Sequence, residues 1–237
     1  MSDSIVIIPT FNEKENIERI LRKVFSLDKL FHVLIVDDGS PDGTAEIVRS
    51  LMTEYPDRLF MEERASKSGL GTAYIHGFRW SLQHNYSFIF EMDADFSHNP
   101  DDLIRLYNAC AVDGFDMSVG SRYVKGGKVM NWPFTRWLMS YFASVYVRLI
   151  LWINIKDTTA GFKCYKRKAL ETIDLNKIRF VGYAFQIEMK YTALLHGFKI
   201  KEVPIVFIDR QLGQSKMSMR IFKEAFWGVF KMRRKKI

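Results

Sequence analysis

The stretch FIFEMDADFSHNP, residues 88–100, begins as an apolar run and ends in acid, with carboxylates at Glu91, Asp93 and Asp95. Its first half has the composition of a buried strand. The sequence that follows, PDDLIRLYNACA at 100–111, opens with proline and two aspartates and then shows helical apolar spacing, which is the chemistry of a helix start. A strand that delivers acids to a turn and then enters a helix is one repeat of an α/β fold, and the same pattern recurs on both sides of it.

Upstream, SIVIIPTFNE is a β-branched run ended by Pro9 and Asn12, followed by a helix with Ile17, Ile20, Leu21 and Val24 on one face. HVLIVDDGSPDG is a second strand entering a turn, and Thr44 leads a helix carrying Ile47, Val48 and Leu51. RLFMEE is a third strand, GLGTAYIHGFRWSL a turn and helix, and FDMSVGSRY, downstream, a fifth strand. The strands are continuous apolar runs, as expected when helices cover both faces. The pattern predicts a doubly wound, mostly parallel α/β sheet over residues 4 to 121. Ligands of such sheets gather beyond the C-terminal strand ends, where Asp37, Asp38, Asp93 and Asp95 fall.

The second half reads differently. WPFTRWLMSYFASVYVRLILWINI, residues 132–155, is aromatic and apolar but is interrupted by Arg136 and Arg148. A membrane span needs about 20 uninterrupted apolar residues, so this segment is expected to be a buried or interfacial amphipathic helix. MRIFKEAFWGVFKMRRKK, at 219–236, mixes Phe222, Phe226, Trp227 and Phe230 with lysine and arginine. It reads either as a helix packed on the domain or as one lying in the headgroup plane. The reading divides the chain into a catalytic domain, 1–217, and a basic amphipathic helix, 218–237.

The chain has 237 residues and a net charge of +8, from 35 basic and 27 acidic side chains. An anionic partner fits that balance: nucleic acid, phospholipid or a phosphorylated substrate. The excess is concentrated in the closing KMRRKKI, and no base-reading motif occurs, so nucleic acid is set aside. Cys110 and Cys164 lack metal-ligand spacing and read as reduced packing residues. No basic stretch followed by an apolar core opens the sequence, so no signal peptide is expected.

Asp93 and Asp95 stand two apart, a spacing that on a strand points both side chains the same way. Two adjacent carboxylates resist ionising together unless a cation lies between them. Oxygen-only ligands suit Mg²⁺ or Mn²⁺, which complete their shells with phosphate oxygens and water. An Asp-X-Asp alone is weak evidence, but three companions accompany it. VDDGSPDG reaches the same rim. KSGLGTAYIHG brings a glycine turn into a helix whose N–H groups are placed to face an anion. DRQLGQSK puts Arg210 and Lys216 on a glycine-containing loop. The glycine turn is neither a Walker loop nor a dinucleotide fingerprint, because Ala73, Tyr74 and Ile75 stand where a third glycine would be.

IPTFNE, VDDGSPDGT, GLGTAYIHG, MDADFSHNP, GSRY, DTTAGFKCY and DRQLGQSK follow one another in that order. Together they resemble the family 2 glycosyltransferases of the GT-A fold, and more narrowly the dolichyl-phosphate or polyprenyl-phosphate mannosyltransferases, over about residues 4 to 217. The sequence ends before any C-terminal transmembrane segment, as in short members. The resemblance implies inverting transfer of mannose from GDP-mannose to a polyprenyl (dolichyl) monophosphate. By matching motif, Pro9, Phe11, Glu13, Val36 and Asp38 would hold the nucleoside. Asp93, Ala94 and Asp95 would meet nucleotide and metal, with Mg²⁺ or Mn²⁺ on Asp93 and Asp95. Arg122, Arg210 and Lys216 would face phosphates and, with Asp95, form the catalytic set. Phe11 stands where tyrosine is common and Ser97 where some members have glutamine, so a third protein ligand to the metal is not implied. The resemblance also implies a peripheral enzyme on the cytoplasmic face of a membrane and leaves room for an accessory membrane subunit.

The acceptor chemistry follows from its acid–base properties. A phosphate monoester has a second pKa near ~6 and is largely dianionic at neutral pH. Its oxygen attacks without a general base, so the acceptor needs cations more than a carboxylate. Arg122, Arg136 and Ser140 are the candidates for that cradle. Glu188, on a predicted helix, reads as structural or as orienting an arginine. Asp157 reads as a cap or turn residue, and His76 and His98 as packing or surface groups. Two rivals stand beside this reading: glucose transfer from UDP-glucose to the same lipid phosphate, and a non-catalytic nucleotide- or membrane-binding module.

Overall fold

The β-branched runs pair edge to edge because their apolar side chains are covered from both sides. The computed structural model describes residues 2–210 and 219–234, with 219–225 described by backbone alone. The chain alternates β1 (Ser4–Thr10), α1 (Ile17–Phe25), β2 (His32–Asp37), α2 (Thr44–Glu54), β3 (Leu59–Glu63), α3 (Leu70–Gln83), β4 (Phe88–Glu91), α4 (Asp102–Ala111) and β5 (Met117–Ser121). These are the strands and helices expected from the sequence. There follow β6 (Lys128–Met130), α5 (Phe134–Leu151), β7 (Lys163–Lys166), α6 (Arg167–Thr172), α7 (Tyr183–Leu195), β8 (Ile200–Pro204), β9 (Val206–Ile208) and α8 (Met219–Arg233).

The main sheet has the order β3-β2-β1-β4-β7-β5-β8. All neighbours run parallel except β7, which lies antiparallel between β4 and β5. Side chains alternate across the sheet. Val6, Ile8, Val33 and Ile35 join α1 and α4 in one core, and Ile5, Ile7, Leu34 and Val36 join Tyr74, Phe78, Phe185 and Met189 of α3 and α7 in the other. Each such fully buried branched side chain contributes on the order of 1.5–3 kcal/mol.

Two features differ from the simplest sequence reading. β4 ends at Glu91, four residues before Asp95. Met92 N–H still bonds the Ile7 carbonyl at 3.2 Å, but the chain then bends and Phe96 takes a left-handed φ of 59°. Strand alternation therefore does not bring Asp93 and Asp95 together; the turn does. The other difference is β7, hidden in the sequence by lysines at both its ends. Lys163 is wholly buried because it pairs with the equally buried Glu91 of β4 at 2.9 Å.

Residues 132–155 form α5 and its flanks, and α5 is amphipathic as expected. Val147 and Leu151 are buried, whereas Phe134, Met139, Phe142 and Leu149 are exposed, as is Trp152 just beyond. α8 shares a small core with α5 and α7 through buried Val229 and Met232 and leaves Phe226, Trp227 and Phe230 in solvent. Among the described residues no helix is long and apolar enough to cross a membrane.

Candidate active site at the sheet rim

The turn after β4 carries the acids to the rim, and β9 carries an arginine to meet them. Ile208 N–H bonds the Ser97 carbonyl (3.2 Å), and Asp209 N–H bonds the Met130 carbonyl (3.2 Å), which tie the end of β9 to that turn and to β6. Arg210 consequently donates to Asp95 Oδ2 at 2.6 Å and lies 3.9 Å from Glu13 Oε1. Ser97 N–H donates to Asp95 Oδ1 at 3.0 Å. Asp93 receives the Tyr74 hydroxyl at 3.4 Å and stands 3.9 Å from His98 Nδ1.

The two aspartates titrate in opposite directions. Burial, then the Asp95 carboxylate, push Asp93 up to about 7, although its side chain keeps a solvent-facing edge. Burial would raise Asp95 as well, but the Ser97 hydrogen bonds and the Arg210 charge outweigh it and hold the carboxyl below its ordinary range. His98 is buried, stacks on Phe162 with ring centroids 4.9 Å apart, and is lowered by burial to about 4, so it is neutral at pH 7. This is the packing role expected for it. His76 lies at the surface against Glu62 at 3.0 Å.

The residues expected to hold a nucleoside lie at the ends of β1 and β2, where Pro9 and Val36 are register partners. Glu13 is buried, accepts from Asn16 Nδ2 at 3.0 Å, and has its N–H bound to Thr44 Oγ1. Phe11 lies under the Lys67 ammonium, 4.7 Å from the ring centroid. Asp38 is paired with Arg64 (2.6 Å from Nε), which also donates to Thr72 on α3. Nothing in the sequence singled out Arg64. Ala94 is buried beside the two aspartates.

The other two arginines are also tied to acids. Arg122, at the end of β5, is not open to solvent: it binds Asp157 through Nε (2.7 Å) and Nη2 (2.6 Å) and Thr159 through Nη2 (2.9 Å). Trp132 and Phe207 lie against its guanidinium. Asp157 is thus the arginine's counter-ion and not a cap. Arg136 lies over Trp132 and donates to Asp209 at 2.8 Å, with Ser140 one turn further along α5. Glu188 orients backbone: it accepts the N–H groups of Arg179 (2.9 Å) and Phe180 (3.1 Å). In the glycine turn before α3, Gly71 N–H is bound to the Val181 carbonyl at 2.8 Å, so that amide holds protein and not an anion. Lys216 lies outside the described residues. Among the described residues no group of three or more His, Cys, Asp and Glu side chains gathers as a metal cage. The donor set at the rim is two carboxylates, which suits Mg²⁺ or Mn²⁺ sharing its shell with phosphate oxygens.

Two carboxylates against an arginine, beyond the strand ends of a mostly parallel α/β sheet, stand where such sheets bind their ligands. The family model described as glycosyl transferase family 2 matches residues 5–174, and the chain belongs to that family. It is 47% identical over 231 residues to the polyprenol monophosphomannose synthase of Mycolicibacterium smegmatis, covering 95% of this chain and 87% of that one. It is 43% identical over 230 residues to the undecaprenyl-phosphate mannosyltransferase of Micrococcus luteus, covering 95% and 93%. The fold also matches a mannosyltransferase of Pyrobaculum calidifontis solved with GDP-Man and Mn²⁺, with TM-score 0.60 at 16% identity, covering 97% of this chain and 69% of that one. At that identity the likeness is one of fold.

Proposed function

We propose that this glycosyltransferase moves mannose from GDP-mannose, with inversion, onto the phosphate of a polyprenyl monophosphate. The observation that carries the reading is the rim itself: Asp93, Asp95 and Arg210 stand together at the strand ends, and two further arginines, Arg122 and Arg136, are held by carboxylates of their own, Asp157 and Asp209. One group suits a leaving diphosphate and the other an attacking phosphate. The names of the two relatives support the same chemistry.

Pro9, Phe11, Glu13, Val36, Asp38 and Ala94 would line the nucleoside pocket. Asp93 and Asp95 would hold Mg²⁺ or Mn²⁺, and a divalent cation bound there supplies charge stabilisation to the leaving diphosphate. Arg210 neutralises Asp95; with nucleotide present its guanidinium would turn to the diphosphate, joined by Lys216. A well-placed charged donor of this kind lowers a barrier by on the order of 3 kcal/mol. On the acceptor side Arg136 and Ser140 would meet the phosphate, with Arg122 contributing charge from beneath. The attacking oxygen is already deprotonated, which fits a site where Glu188 is occupied by backbone amides.

We assign the catalytic domain to residues 1–217 and membrane-surface contact to 218–237 together with α5. The exposed Phe142, Trp152 and Trp227 fit insertion beside lipid headgroups, and the buried free thiols of Cys110 and Cys164 fit a reducing, cytoplasmic side. An accessory membrane subunit is compatible with the same surface. The test is transfer of labelled hexose to a short polyprenyl phosphate, comparing GDP-mannose with UDP-glucose, with and without Mn²⁺. Metal-dependent transfer from GDP-mannose is expected. Transfer from UDP-glucose in its place would overturn the assignment of donor, and no transfer from either would favour a binding module.

A further inference from the structure

α5 closes in a backbone conformation that residues with a Cβ rarely adopt. Trp152 takes a left-handed φ of 57°, and its N–H and that of Ile153 both bond the Arg148 carbonyl, which seals the last turn of the helix. The turn leaves the Trp152 side chain 82% exposed, close to Leu149, which is 68% exposed. An open groove of about 440 Å³ lies here, lined by Val145, Arg148, Leu149, Trp152, Ile153 and Asn154.

Arg148 is the only charged residue of that lining. Its Nε is buried without a hydrogen-bond partner, and among the described residues its guanidinium has no ion pair. Arg122, Arg136 and Arg210, by contrast, each have a carboxylate. An N–H cut off from water is costly unless an acceptor meets it, so Arg148 suits an acceptor that comes from outside the chain. A second cation stands nearby: Arg233 of α8 is exposed and lies 5.8 Å from the centre of the Trp152 ring. Val229 and Met232 hold α8 there, in one core with Val147 and Leu151.

Two arginines, apolar walls and no acid are the complement of an anion with an apolar tail. A free phosphate would leave Leu149 and Trp152 in water, whereas an acyl chain covers them. No carboxylate lines the groove to meet a choline ammonium, which favours a headgroup of net negative charge. Arg148 lies twelve positions beyond Arg136, about 18 Å along a helix, so the groove is separate from the proposed acceptor cradle.

We propose that this groove binds the headgroup of an anionic phospholipid of the bilayer, with Arg148 and Arg233 on its phosphate and an acyl chain along Leu149 and Trp152. The site anchors the enzyme on the surface and takes no part in the transfer. It rests on the membrane-surface contact proposed above.

Short-chain phosphatidylglycerol, titrated below its micelle concentration into the full chain and followed by calorimetry, tests it. Saturable one-to-one binding is expected, with far weaker binding of phosphatidylcholine of the same chain length. Arg148→Lys keeps the charge but loses Nε and the planar fork, so roughly tenfold weaker binding is expected. Leu149→Glu puts an acid in the wall at an exposed position and should weaken binding at least as much. Nucleotide affinity should be unchanged in both, and if Arg148→Lys lowers the melting temperature, Leu149→Glu decides. Wild-type affinity in the variants, equal binding of the two lipids, or equal binding of glycerol phosphate would overturn the site. Sedimentation with phosphatidylglycerol vesicles separates the two readings. A wild-type chain that pellets with them but binds no short-chain lipid refutes the groove alone. One that does neither refutes the membrane-surface contact as well.

Discussion

Asp157 binds Arg122 through two hydrogen bonds of 2.6 and 2.7 Å, and the carboxylate is closed to solvent. Burial alone would raise its carboxyl; the Arg122 charge and hydrogen bonds outweigh that and hold it below the ordinary carboxylate range. Asp157→Asn leaves a guanidinium buried without counter-charge, so a loss of about 3–5 kcal/mol is expected in urea unfolding. His98 sets a separate pH response. Its pKa is about 4 in the fold and ~6.5 in the unfolded chain, so only the unfolded chain takes up its proton in that window. Stability contributed this way is present above pH ~6.5 and is lost as pH falls toward 4, by up to roughly 3 kcal/mol. Asp93, raised to about 7 in the fold, acts with the opposite sign in the same range, so the check is the difference between wild type and His98→Gln: in melting of the metal-free proteins from pH 7 to 4.5 the wild type should lose stability relative to the variant. At this scale the acids of the Asp-X-Asp were legible, because their chemistry is local. Asp157 was not: its partner lies on another strand, and the threonines beside it make a turn the simpler reading.

Among the elements, α3 and β7 show what pattern reveals and what it hides. The glycines of GLGTAYIHG mark a special turn, but their reason is steric and lies in residues 180–181, α7 and β1, so an anion cradle was the natural expectation. A Cβ on Gly77 would stand 2.6 Å from Ile7 Cγ2, deep in the sheet face, while one on Gly71 would stand 2.8 Å from the Phe180 carbonyl oxygen, in the loop that leads into α7. The two alanine substitutions should therefore separate. Gly77→Ala is expected to cost about 1–3 kcal/mol in stability with kinetic constants of the surviving fold unchanged. Gly71→Ala is expected to lower turnover with the lipid phosphate while nucleotide binding, followed by calorimetry, is retained. Equal kinetic losses in both would show that the loop has no special part. β7 escaped the sequence because a strand of four residues bounded by lysines has no apolar signature. Its buried Lys163 makes sense only beside Glu91 and Tyr165, whose hydroxyl donates to Glu91 at 2.6 Å.

Over the whole molecule, polarity is divided between two faces. The rim gathers Asp93, Asp95 and the arginines, and α5 and α8 turn aromatic side chains outward. α5 links the two: Arg136 and Ser140 lie toward its start, and Met139, Phe142 and Leu149 form an exposed stripe along it. A headgroup held at Arg136 would then leave its isoprenoid chain beside that stripe. Removing 218–237 is a poor test of this, because Val229 and Met232 are buried against α5 and α7 and their loss would uncover the core. Exposed positions are the clean probe. Phe142, Trp152 and Trp227 have most of their surface in solvent, so replacing all three by serine should leave the melting temperature and nucleotide affinity nearly unchanged. In vesicles of zwitterionic and anionic lipid, each such side chain moved from water into the acyl boundary contributes on the order of 1.5–3 kcal/mol when fully buried. Partial insertion of three would still make sedimentation with vesicles at least tenfold weaker in the variant. The basic residues near the end of α8 add about 1 kcal/mol each at an anionic surface, so residual binding should disappear as salt is raised. Equal sedimentation of variant and wild type would mean that these side chains face something other than lipid.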